Sequence, residues 1–169
     1  MFNKSSIIAL VLIGSSATAF AQATASATGT ATIIEPITIS NAEDMNFGNI
    51  AINASAGTVE LTPAGVRNER GGVTLPVVPG TVTAAEFDVT GDGTSTYDIT
   101  LPSSDYTITR VSGSETMTIN VFTCSTGAAG ALVAGLETFQ VGATLNVAGS
   151  QVPGVYTNAT GFDVTVNYN

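Results

Sequence analysis

Thirteen acidic residues stand in this 169-residue chain, with no histidine to work beside them. Two groups of acids have spacings that invite chemistry. Asp88-Val89-Thr90-Gly91-Asp92-Gly93 places two carboxylates beside a glycine turn. Carboxylates and loop carbonyls are the hard oxygen ligands calcium takes. The spacing is not that of an EF-hand, and Asp beside Gly reads equally as a turn whose side chain accepts local backbone donors. Glu43-Asp44 and Glu60 are spaced carboxylates of the sort a glycosidase pairs, or solvated acids on an acidic surface. Without His, the commonest general base and metal ligand is missing. Cys124, the only cysteine, therefore has no imidazole to activate its thiol. A lone cysteine makes no internal disulfide. It packs as a small buried hydrophobe or pairs with another chain. There is no Gly-x-Ser-x-Gly elbow, and the glycine-rich stretches lack the lysine and helix of a P-loop. Tyr97, Tyr106 and Tyr156 line a sugar-binding face or pack in core and edge. The chain reads as no enzyme, with no catalytic residue, no cofactor and no metal site.

Charge and leader narrow the partners. Lys4, the apolar run Ile7–Ile13 and the small-x-small triplet Ala19-Phe20-Ala21 form the positive, apolar and cleavage regions of a secretory signal. The segment predicts a signal peptide over 1–21 and a mature chain from Gln22. The apolar run is too short to span a bilayer, so no membrane insertion is expected. With Lys4 removed, Arg67, Arg70 and Arg110 stand against thirteen acids, a formal charge of −10. That excludes a basic nucleic-acid footprint and disfavours an anionic membrane surface.

The elements that must position these residues are strands. Thr, Val, Ile, Ala and Gly dominate, helical periodicity is missing, and short β-rich runs recur between Gly, Pro, Asn, Asp and Ser. This is the pattern of a β-sandwich. It predicts strands near 30–39, 45–52, 57–62, 73–78, 85–90, 96–101, 106–111, 115–122, 136–147 and 161–168. Turns fall at Thr90–Thr94 and Val111–Glu115, and Pro102 ends a strand. Residues 127–135 read as a small-residue loop or a short helical turn.

The two ends stand apart. Phe162, Val164, Val166 and Tyr168 alternate with Asp163, Thr165, Asn167 and Asn169, a half-buried strand with one apolar face. With the chain ending there, nothing is expected to fold over that strand from the C-terminal side. At the start, Ala23, Ala25, Ala27, Gly29, Ala31 and Ile33 alternate with Thr24, Ser26, Thr28, Thr30, Thr32 and Ile34. This is a frayed terminus or a strand awaiting a partner. The domain organisation expected is an arm over 22–35 and a β-sandwich domain over 36–169.

Several blocks follow in order. They are Asp44-Met45-Asn46-Phe47-Gly48, Gly71-Gly72-Val73-Thr74-Leu75, Phe87-Asp88-Val89-Thr90-Gly91, Tyr97–Pro102, Gly154-Val155-Tyr156-Thr157 and Phe162–Tyr168. In this order the chain resembles the DUF4402 family of secreted bacterial proteins. Its two ends are similar to spore coat U and chaperone–usher pilin subunits. That resemblance implies an immunoglobulin-like β-sandwich of pilin type with an N-terminal donor-strand-like arm. It implies strand exchange between like subunits, a periplasmic chaperone, an outer-membrane usher, and passage through the periplasm to a surface fimbrium. By the same resemblance, Ala27, Gly29, Ala31 and Ile33 enter a neighbour's groove. Phe162, Val164, Val166 and Tyr168 form a groove wall that the chaperone also binds. Pilins commonly carry a disulfide near the first strand; Pro36-Ile37-Thr38 stands there instead. A secreted monomer that binds a ligand such as a glycan is the other reading.

Overall fold

The structure is a computed structural model that describes residues 22–169. The predicted signal peptide, 1–21, lies outside the described residues. The chain divides at Thr32/Ile33 into two units. In the described part of the first, residues 22–32, no helix or strand forms and every residue is exposed. The second unit, Ile33–Asn169, is all-β, with no helix among the described residues.

Its spine is the longest strand, β9 (Leu136–Val147), in which Phe139, Val141, Ala143, Leu145 and Val147 are all buried. The odd positions turn inward because strand side chains repeat with period two. One edge of β9 pairs with β7 (Thr116–Cys124), with Thr118 opposite Asn146. The other edge is shared between two strands. β4 (Ala85–Thr90) takes Leu136–Val141, and β2 (Ala51–Leu61) takes Ala143–Val147. The changeover falls at buried Gly142, where a Cβ would lie 2.2 Å from the Leu61 carbonyl oxygen. Only a residue without a side chain lets the two backbones meet so closely. Outside these strands lie β1 (Thr38–Glu43) on β4, β3 (Arg67–Thr74) on β2, β6 (Tyr106–Arg110) on β7, and β10 (Tyr156–Thr157) on β6. All eight are antiparallel neighbours in one curled sheet. A second sheet has the order β11 (Thr165–Tyr168), β5 (Thr96–Thr100), β8 (Ala129–Ala131).

Two apolar clusters form the interior. Phe47, Val59, Leu61, Val73, Ile108, Ile119, Leu145 and Val147 make the first. Ala85, Phe87, Val89, Tyr97, Ile99, Leu132, Phe139, Val141 and Val166 make the second, where the two sheets face each other. Met45 and Phe122 pack against both. Burial of this kind is the main favourable term in folding.

Where strands differ from expectation, hydrogen bonding explains it. Residues 45–50 contribute only the bridge Asn46–Thr83. Their carbonyls go elsewhere, since the Arg67 guanidinium donates to Phe47 and Asn49 at 2.8 and 2.9 Å. The expected strands 45–52 and 57–62 give way to the single strand β2, interrupted by an irregularity over Asn53–Ala56. The strand expected at 73–78 lies earlier, as β3, because Pro76 and Pro79 cannot donate to a ladder. The strand expected at 30–39 begins only after Pro36, as β1. The small-residue run 127–135 holds β8, neither plain loop nor helix. Its Gly130 lies under the Tyr97 ring, where a Cβ would fall 2.3 Å from Cζ. At the β6–β7 turn, the Arg110 guanidinium donates to Glu115 at 2.6 Å.

Candidate functional site

The strongest feature is the free edge of β11. The Asn169 N–H donates to the Thr96 carbonyl, and the Ile99 N–H donates to Ala128 on the opposite side. Antiparallel strands direct alternate residues to alternate neighbours. Thr96, Asp98 and Thr100 therefore turn their main chains to β11, and Val166 and Tyr168 turn theirs away from β5. No strand among the described residues pairs with them on that side. β1 approaches β11 without forming a ladder. Ile37 and Ile39 from the β1 side and Phe162, Val164 and Tyr168 from the β11 side are half-buried against the second cluster.

The other sheet edges are protected in the usual ways. β3 carries Arg67, Glu69 and Arg70, and β1 loses register between Asn41 and Glu43. β8 and β10 have three and two residues. β11, Thr-Val-Asn-Tyr, has no charge, no proline and no bulge.

The four C-terminal residues singled out by alternation do share one face. Val166 is buried, and Phe162, Val164 and Tyr168 pack beside it. Regular pairing starts only at Thr165, so Phe162 and Val164 approach as extended chain rather than as the strand expected from 161. Phe162 has three aromatic neighbours: Phe122 at 4.9 Å, Tyr106 at 5.7 Å and Phe87 at 6.3 Å between ring centroids. Of the arm residues, Ala27, Gly29 and Ala31 lie exposed in the first unit, and Ile33 is 97 % exposed at the start of the second.

One arrangement at this edge was not legible in the sequence. The Tyr168 hydroxyl accepts from the Asp92 N–H at 2.6 Å and donates to the Glu35 carbonyl at 2.8 Å. It reaches them across Gly91, where a Cβ would lie 2.3 Å from the hydroxyl oxygen. The Gly beside Asp92 was the one available signal, and it reads from sequence only as a turn. Asp88 does not join this group; it accepts from the Thr138 hydroxyl at 2.6 Å.

The other chemical candidates are separated. Glu43 stands opposite Glu86 on β1 and β4, while Glu60 on β2 faces Asn68 and Thr144. The three tyrosines do not form one face. Tyr97 is fully buried in the second cluster, while Tyr106 and Tyr156 pack on the first. The Tyr97 hydroxyl donates to Glu137 at 2.7 Å, and burial together with this carboxylate pushes its pKa well above the usual tyrosine value. Cys124 is a half-buried free thiol beside the Thr126 hydroxyl.

The family model described as a domain of unknown function, DUF4402, matches residues 37–168. The chain belongs to the DUF4402 family. The match begins at the residue before β1 and ends on Tyr168, so it takes in both sides of the open edge. No curated protein and no solved structure matches the chain. No helix among the described residues is long and apolar enough to cross a membrane.

Proposed function

We propose that this DUF4402 protein is a structural subunit of a surface fimbria or pilus-like fibre, assembled by strand exchange and serving in cell adhesion. Its body acts as an immunoglobulin-like sandwich of pilin type. Its residues 22–35 act as a donor arm. The observation that carries the reading is the uncharged, unpaired edge of β11. Main-chain N–H and C=O groups of Val166 and Tyr168 face away from β5, beside a half-buried apolar row. A partner strand laid there gains ladder bonds for affinity and side-chain pockets for specificity. The arm supplies the complementary chemistry. Its alternating face carries the small residues Ala27, Gly29 and Ala31 and the larger apolar Ile33, and these residues take part in no strand among the described residues. The function is binding and polymerisation without bond chemistry.

In this reading the signal peptide exports the chain. A periplasmic chaperone covers the β11 edge in transit, and an outer-membrane usher exchanges it for the arm of the next subunit. The test is deletion of residues 22–34 in the exported protein, with its chaperone and usher present. Electron microscopy should then show no fibres, while circular dichroism of the truncated body stays unchanged. Fibres from arm-deleted protein, or a persistently monomeric wild type, would refute the proposal and bring forward a secreted ligand-binding monomer.

A further inference from the structure

We infer that Tyr168 is a positioning residue for the donor arm, its hydroxyl latching the arm's root to the end of the open edge. The inference rests on the strand-exchange reading and adds a role to one of its residues. A wall of the cleft needs only the Tyr168 ring. The hydroxyl does something else: it joins three segments far apart in sequence, at Glu35, Asp92 and Tyr168. Glu35 is where the chain passes from the arm into β1. Its carbonyl is bonded to the side chain of the strand whose main-chain edge is free. The arm's starting point is thus fixed relative to the acceptor edge of the same subunit.

The surroundings are arranged for this contact. Gly91 is buried and bare of side chain where the hydroxyl passes. Its own main chain is held to the β8–β9 turn, with the Gly91 N–H donating to Gly135 and the Gly135 N–H donating to Gly93. Asp92 therefore presents its N–H from a braced turn. Pro36, immediately after Glu35, has no N–H and a fixed φ, so the segment beyond the latch is stiff. Ile34 and Tyr168 line one shallow hollow with Thr94, Ser95, Thr96 and Asn169. Release of the hydroxyl would free the arm's root while leaving the ring, Val166 and the ladder to β5 in place. Each subunit must offer its arm to a neighbour and accept another at β11. A fixed spacing between these two points sets the geometry of each link.

The experiment uses the full mature chain and Tyr168→Phe, with Tyr156→Phe as control. The control deletes a different tyrosine hydroxyl, bonded to the Val152 carbonyl at 2.6 Å. In Tyr168→Phe, amide exchange at Asp92 should rise about tenfold, the factor carried by one ordinary hydrogen bond. Cleavage after Ile34 by a protease specific for aliphatic residues should rise with it. Far-ultraviolet circular dichroism, which reports the strands, should match wild type, and fibre assembly should slow. Gly91→Ala, which displaces the hydroxyl from the other side, should do the same. Unchanged exchange and cleavage in Tyr168→Phe, or equal changes in Tyr156→Phe, would overturn the latch. Equal rates of fibre assembly from wild type and Tyr168→Phe would overturn its positioning role. A wild type that makes no fibres, with the latch effects on exchange intact, would refute strand exchange alone.

Discussion

Replacing Tyr97 by Phe isolates one buried polar contact and carries a pH signature. The Tyr97 side chain is fully buried, and its hydroxyl donates to Glu137 Oε2 at 2.7 Å. The same oxygen accepts the Ala131 N–H at 2.8 Å, so Glu137 ties β5, β8 and β9 together. Phenylalanine keeps the ring over Gly130 and removes only the hydroxyl. A hydrogen bond to a charged group is worth about 1.5–3 kcal/mol. Glu137 keeps its Ala131 bond and some contact with water, so the low end, about 1.5 kcal/mol, is expected. For a domain of this size that lowers Tm by roughly 3–6 °C. The alkaline limb is the sharper test. Burial, reinforced by Glu137, raises the folded-state pKa of Tyr97. In the unfolded chain tyrosine titrates near pH 10, so the folded state holds a proton that the unfolded state gives up. The associated stability is fully present below about pH 10 and is lost as pH rises above it. Each such tyrosine contributes a slope of up to about 1.4 kcal/mol per pH unit. Tyr106 is also raised by burial, so Tyr97→Phe should reduce the slope without abolishing it. Urea titrations at pH 7, 9, 10 and 11 on both proteins measure this. Equal slopes above pH 10 would refute the assignment of a buried, proton-retaining Tyr97.

Further outcomes follow from the same geometry. Gly142→Val drives a side chain into the Leu61 carbonyl and should cost more than about 3 kcal/mol, beyond ordinary overpacking, seen as an unfolded spectrum or a collapsed urea midpoint. Val121 holds a φ of +50° while 69 % exposed, a conformation costly for a β-branched residue; Val121→Gly should stabilise by about 1 kcal/mol, measured by calorimetry. Phe162→Ala removes the ring set against Phe87, Tyr106 and Phe122 and should cost about 2–3 kcal/mol in urea. Intact mass of the exported protein should correspond to a chain beginning at Gln22, because Ala19 and Ala21 supply the small residues for cleavage; retention of Lys4 would refute it.

Much of the fold was legible because period-two burial leaves a direct mark. β4 and β9 fall at 85–90 and 136–147, the spans their alternation indicates. What stayed hidden had physical reasons. β8 is built of Ala and Gly because Tyr97 occupies the space its side chains would take. β3 carries charges because it is an edge, which masks its apolar signal. Residues 45–50 look strand-like, but their carbonyls satisfy Arg67. At the candidate site the apolar row from Phe162 to Tyr168 was readable, since it depends on neighbours in sequence. The bond from Tyr168 to Glu35 spans 133 positions, and no local pattern encodes it.

The double partnership of β9 has a consequence for how the molecule is made. β2 and β4 both need β9, and so does β7, yet β9 emerges only after residue 136. A chain synthesised or threaded from its N-terminus therefore carries hairpins with bare flanks until its last quarter appears. Neither apolar cluster can close before then, because Val141 belongs to one and Leu145 to the other. Such late, long-range closure slows folding and leaves sticky intermediates exposed. For a chain that keeps a free strand edge among its described residues even when folded, aggregation risk is greatest before β9 appears, when the flanks of β2, β4 and β7 all wait on that one strand.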